Sequence, residues 1–198
     1  VTRSAQADFR NSLVKNNIGG AAVSKFRILI MVFALVLITG YAQAENIWFS
    51  PLTAIPVGPA GPPSNLVVSP YCCPSTALEV TSTQPVNEDA FQWILLGLTT
   101  QANKAIKGVQ VCYEVITGSP GSTSTYISQV RLTTMTTPDQ AHVIHDDPTN
   151  LTETGPTCYT SNTTKPKPKV GGTTTLALKM VFGNTSDKIL IGGVKLIY

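Results

Sequence analysis

Two stretches of this chain change side-chain character at every second residue, and that period limits what the chain can fold into. Val109, Val111, Tyr113 and Val115 alternate with Gln110, Cys112 and Glu114. Leu176, Leu178, Met180 and Phe182 alternate with Ala177, Lys179 and Val181. Successive side chains of a strand point to opposite faces, so a period of two marks strands with one buried face. No long helical period appears after residue 44; only Thr99–Lys107 could form a turn or two. In the last run Ile189 and Ile191 hold one phase, and Val194, Leu196 and Tyr198 hold the other. Gly192-Gly193 stands at the change, where a bulge is expected.

Turn clusters separate the runs. Gly118-Ser-Pro-Gly121-Ser divides the first alternating run from Thr125–Met135, and Gly183-Asn184-Thr-Ser-Asp187 divides 176–182 from 189–198. Each pair reads as an antiparallel hairpin. Phe91–Leu98 is apolar on both faces and suits a central strand better than a short buried helix. Shorter strands are predicted at Asn65–Val68, Thr76–Val80 and Ala141–His145. Eight or so short strands with Gly/Pro turns indicate an all-β, two-sheet antiparallel sandwich. A jelly roll is the first choice of topology and an immunoglobulin-like Greek key the second. The alternation ending at Tyr198 resembles the closing strand of an outer-membrane barrel. The proline-rich segment, the cysteines and a long polar stretch argue against a barrel.

The predicted destination comes from the other end of the chain. Lys25 and Arg27 precede the apolar run Ile28–Ile38, followed by the small-residue triplet Ala42-Gln43-Ala44. Basic flank, short apolar run and A-x-A box form the pattern of a secretory signal peptide. Eleven apolar residues fall short of the roughly 20 that a spanning helix needs. Residues 23–44 are therefore read as a signal peptide, and 1–22 as an upstream extension or a mis-called start. Removing residues 1–44 takes five of the 14 bases and one of the 11 acids, leaving a net charge of −1. A nucleic-acid footprint needs a basic face, which this balance does not supply. The expected location is secreted, extracellular or in the cell envelope, with no membrane span after cleavage.

Residues 45–64 hold five prolines within 51–63 and are expected to run extended. The domain proper is placed at 65–198, with a long polar connection at 136–173. Such a connection is either a binding loop or an excursion with short strands of its own. All four cysteines lie beyond residue 44, and an exported chain keeps disulfides. Cys112 sits on the polar face of its strand, where a lone cysteine needs a reason. A bridge to Cys158 supplies one, by pinning the 136–173 connection over the sheet. Cys72 and Cys73 are adjacent and could pair with each other or with one of these two.

Enzyme signatures are absent: no G-x-S-x-G, no H-E-x-x-H and no phosphate-binding loop. No cofactor is expected, except that Asp146, Asp147 and Asn150 offer oxygen ligands for calcium. Trp48, Tyr71 and Tyr159 lie outside the strongest alternating runs and are the candidate ligand-binding aromatics. The expected function is non-catalytic binding, either adhesion or recognition of a carbohydrate or surface polymer. The alternative is a structural subunit of a coat or filament that binds copies of itself, with segment 45–64 adding a strand to a neighbour. A small secreted enzyme is a lesser alternative.

Overall fold

The computed structural model describes residues 46–58, 64–72, 77–101, 104–118, 124–163 and 173–198. The leader, the upstream residues, Cys73 and the Lys165–Lys169 run lie outside the described residues. The chain divides into two units, Val1–Ala44 and Glu45–Tyr198, and the described residues all belong to the second.

Eleven strands among the described residues form two sheets: β1 (Ile47–Phe49), β2 (Ile55–Val57), β3 (Leu66–Pro70), β4 (Leu78–Ser82), β5 (Trp93–Leu98), β6 (Gly108–Ile116), β7 (Tyr126–Thr137), β8 (Gln140–Asp147), β9 (Thr157–Asn162), β10 (Thr173–Val181) and β11 (Lys188–Ile197). The first sheet runs β3-β4-β11-β6-β9, with β1 also paired to β11; the second runs β2-β5-β10-β7-β8. Every pairing is antiparallel.

The strand order is that of a jelly roll. β4 pairs with β11, β5 with β10, β6 with β9 and β7 with β8. These four pairings are those of one long hairpin, and rolling it sends alternate pairs to opposite sheets. The predicted sandwich and its first-choice topology are therefore found. An outer-membrane barrel is not: the sheets face each other across a filled interior rather than closing into one cylinder.

Both predicted hairpins are corrected. β6 lies in the first sheet and β7 in the second, and likewise β11 lies in the first and β10 in the second. A short turn can join two strands within a sheet or arch between two sheets, and alternation is the same in both cases. The hairpins found among the described residues are β3–β4 and β7–β8.

The alternation shows directly in the packing. Val109, Val111, Tyr113 and Val115 face inward from β6, and Leu176, Leu178 and Met180 face inward from β10, in one core with Ile189, Ile191 and Leu196 of β11. The β6–β11 register shifts between Ile191 and Val194. This is the expected bulge at Gly192-Gly193, and it keeps both apolar phases of β11 pointing inward.

Tyr198 is also buried, and its hydroxyl accepts from the Gln101 backbone N–H. Residues 104–107 precede β6 without helical structure, so the described part of 99–107 forms no helical turn.

The proline-rich start of the domain packs on its own chain. Pro51 is buried in a single 3₁₀ turn, Pro51–Thr53, after β1. β1 adds to the first sheet through β11, and β2 adds to the second through β5. One strap thus spans both layers of the sandwich.

Candidate functional site

The outward face of the first sheet carries Gln110, Cys112 and Glu114 on β6, the positions opposite the core residues. Cys112 and Cys158 are facing partners in the β6–β9 register and form a disulfide. The pairing matches expectation, but its setting does not. The 136–173 stretch contains strands β8 and β9, so the bridge joins neighbouring strands of one sheet instead of pinning a loop over it.

That disulfide lines a pocket of about 370 Å³ together with Leu190, Gly192, Tyr71, Pro156 and Glu114. Leu190 and Glu114 face each other across β11 and β6, and Gly192 contributes no side chain to the pocket. Tyr71 follows β3 and is held by its backbone N–H donating to the Ala77 carbonyl at 2.9 Å. Its side chain remains 36% exposed. The pocket combines an apolar floor, an aromatic ring and one carboxylate. A volume of this order suits a small ligand.

Trp48 lies on the same outward face. It stands opposite Lys195 in the β1–β11 register, and the Lys195 Nζ sits 5.1 Å from the centre of its ring. A Cβ at Gly193 would come within 2.8 Å of two Trp48 ring carbons, so the glycine at the bulge is what lets the indole lie flat. Trp48 is 55% exposed. The sheet therefore brings Trp48 and Tyr71 to one face, each beside one of the paired glycines.

Tyr159 is placed elsewhere. It faces inward from β9, and its hydroxyl donates to Asp147 Oδ2 at 2.8 Å. The Ser161 hydroxyl donates to the same oxygen, and the Thr149 backbone N–H donates to Oδ1 at 3.0 Å. His145 Nε2 lies 2.6 Å from the Ser161 hydroxyl. Because Ser161 gives its proton to Asp147, it accepts from His145. A nucleophilic triad needs the carboxylate on the histidine and the histidine taking the serine proton. Here both requirements fail, and Ser161 is only 1% exposed. The group is a polar seam between the edge strands β8 and β9.

The predicted calcium ligands are not gathered together. Asp146 and Asp147 are consecutive on β8 and leave opposite faces. Asp146 accepts from Arg131 and Gln129 on the outer side of the second sheet, while Asp147 serves the seam. Among the described residues no cluster of three or more His, Cys, Asp or Glu could hold a metal ion.

The seam predicts an acid-sensitive fold. Burial is the largest influence on His145 and lowers its pKa below 6.5, against the opposing effect of Asp147 and Asp146. Burial pushes Asp147 up, but hydrogen bonds from Ser161, Thr149 and Tyr159 outweigh it and hold the carboxyl at about 2. Both groups bind protons more readily when unfolded, so both contribute stability that is lost on acidification. The His145 part fades as pH falls below 6.5, and the Asp147 part as it falls from 3.8 towards 2. Melting curves should show Tm dropping between pH 7 and 5, and His145→Gln should flatten that segment. A wild-type Tm that stays constant over this range would contradict it.

A larger recess, about 790 Å³, opens at one end of the sandwich among Gln84, Asn87, Glu88, Asp89 and Tyr126. Val86, Val181 and Phe182 line it beside these polar groups, and part of its hydrogen-bonding capacity is already used. The Tyr126 hydroxyl donates to Glu88 at 2.9 Å, and Asn87 Oδ1 accepts from the Ala90 N–H.

No family model matches the chain, and no curated protein matches it. Solved structures with some likeness include a CBM4 module, at 10% identity and TM-score 0.45, covering 75% of this chain and 89% of that one. A carbohydrate-binding module, CBM36, in complex with calcium and xylotriose is 9% identical, with TM-score 0.41, covering 77% and 98%. The K2 cleaved adhesin domain of Lys-gingipain is 9% identical, with TM-score 0.38, covering 78% and 98%.

Proposed function

We propose that this protein is an exported, non-catalytic jelly roll that binds a sugar unit of an extracellular or surface glycan in the pocket beside Tyr71. One observation carries the reading: Tyr71, the Cys112–Cys158 floor and Glu114 line a single pocket. Sugars present an apolar C–H face and a rim of hydroxyls. Tyr71 and the apolar floor suit the first, and the Glu114 carboxylate accepts from the second. Trp48, on the same face, extends the surface along a longer chain. The leader pattern at 23–44 supports export, and no helix among the described residues is long and apolar enough to cross a membrane.

The filament reading loses its main support. Segment 46–58 forms β1 and β2 on its own two sheets, so it is not a spare strand awaiting a neighbour.

A glycan array with residues 45–198 tests the proposal, followed by titration of the best ligand. Tyr71→Ala should weaken binding about tenfold, the equivalent of about 1.4 kcal/mol. Glu114→Gln should weaken it less, and circular dichroism of both variants should be unchanged. Absence of any glycan ligand, or full affinity in Tyr71→Ala, would refute this site.

A further inference from the structure

The outward face of the second sheet holds a group the fold leaves unsatisfied. Trp93 begins β5, two residues from Leu95 and four from Gly97, and these three positions point away from the core. Trp93 is only 6% exposed, and its indole N–H is buried with no hydrogen-bond partner. A buried donor without an acceptor costs about 1–3 kcal/mol, so native structures hold few of them and each calls for an explanation.

The surroundings of Trp93 resemble a recognition surface more than a core. The Phe91 ring lies 6.0 Å away, tilted, and is 56% exposed. Arg131 roofs the indole with its guanidinium carbon 5.1 Å from the ring centre. That roof is tethered from the far side: Arg131 Nε and a terminal amine donate to Asp146 at 3.2 and 3.0 Å, and Gln129 donates to the same carboxylate. Lys179 stands opposite Trp93 in the β10–β5 register and opposite Gln129 in the β10–β7 register. Two rows along, Gly97 leaves open space where a side chain would stand.

We infer that this face is a second glycan-binding surface, distinct from the Tyr71 pocket and on the opposite side of the sandwich. The inference rests on the proposed glycan-binding function. Phe91 supplies the ring against which a sugar stacks. The Arg131 roof shifts on binding, and the Trp93 N–H donates to a sugar oxygen. Asp146, Gln129 and Lys179 meet the hydroxyls. Two sites on opposite sheets make one chain bivalent, so it cross-links glycan chains as well as coating them.

The test uses residues 45–198 and a soluble neutral polysaccharide, such as xylan or hydroxyethyl cellulose, that slows the wild-type protein in affinity electrophoresis. Turbidity of the mixture reports cross-linking. Trp93→Phe deletes the donor and keeps a smaller aromatic ring. It should weaken retardation several-fold and abolish turbidity while circular dichroism still reports native sheet. Phe91→Ala should act in the same direction. Tyr71→Ala should also abolish turbidity but keep residual retardation, and the Tyr71→Ala/Trp93→Phe double variant should show none. Wild-type turbidity and retardation in Trp93→Phe and Phe91→Ala would overturn the second surface. So would complete loss of retardation in Tyr71→Ala alone, which leaves the first site standing. A wild-type protein that no polysaccharide slows defeats both.

Discussion

Asp187→Ala is expected to destabilise the domain by about 3–5 kcal/mol, because it strips a charged acceptor from the buried Thr125 hydroxyl and from the Gly118 N–H at once. Asp187 is fully buried. Its Oδ1 accepts from the Gly118 N–H at 2.7 Å and its Oδ2 from the Thr125 hydroxyl at 2.5 Å. Thr125 in turn accepts from the Gly183 N–H at 2.9 Å. Gly118 and Thr125 flank the arch from β6 to β7, while Gly183 and Asp187 flank the arch from β10 to β11. One carboxylate therefore ties together two of the crossings between the sheets. For a domain of this size the loss corresponds to a fall in Tm of about 10 °C. Asp187→Asn keeps one acceptor and should cost roughly half as much. A fall of only a degree or two in Asp187→Ala would mean that the arches hold without it.

These arches are also where the sequence is most misleading. Alternation in 109–115 and 176–182 identifies the strands and their buried faces, because burial of one face is what selects the period. It carries no information on the partner, since a strand paired across a hairpin and one arching to the other sheet show the same pattern. Asp187 itself reads as an ordinary turn residue beside Asn184 and Ser186. Its burial depends on Gly118, 69 residues away in the sequence, and no local signal reports that.

The polar stretch at 136–173 misleads in another way. β8 and β9 are edge strands, and their mixed, exposed composition is how sheet edges avoid pairing with other chains. It also hides β9 from the sequence, whereas the predicted strand Ala141–His145 falls within β8. The Pro-rich strap has the same character: three-residue strands at or beside sheet edges tolerate Pro56, which a central strand would not. Tyr159 is a fair candidate for an exposed aromatic by sequence position. Its partner Val111 in the β6–β9 register is what turns it inward, and register is not readable without the pairing. Trp48 and Tyr71 can be singled out because they sit beside breaks in the pattern. Glu114 cannot, since any outward position on β6 looks the same.

Reducing the Cys112–Cys158 bridge should cost about as much as losing Asp187, and it should also remove ligand binding. The link closes a loop with a sequence separation of 46. For a loop of that length the chain-entropy estimate is about 4 kcal/mol of stability drawn from the unfolded state. The native state adds a local reason. β9 is an edge strand whose neighbour in its sheet is β6, and the bridge fixes it at Cys112 while Gln110 and Thr160 bond across the same face at 2.9 Å. Without the bridge β9 should fray first, taking with it the floor of the pocket beside Tyr71 and the Ser161 and Tyr159 ends of the polar seam. The Cys112→Ala/Cys158→Ala double variant, or wild type under reductant, should therefore melt about 10 °C lower. It should lose affinity in the glycan titration even at temperatures where circular dichroism still reports native sheet. Hydrogen exchange should show Thr157–Asn162 losing protection ahead of β6 and β11. A non-reducing peptide map linking Cys112 to Cys72 or Cys73, or an unchanged Tm and affinity after reduction, would show that the bridge supports neither the edge nor the pocket.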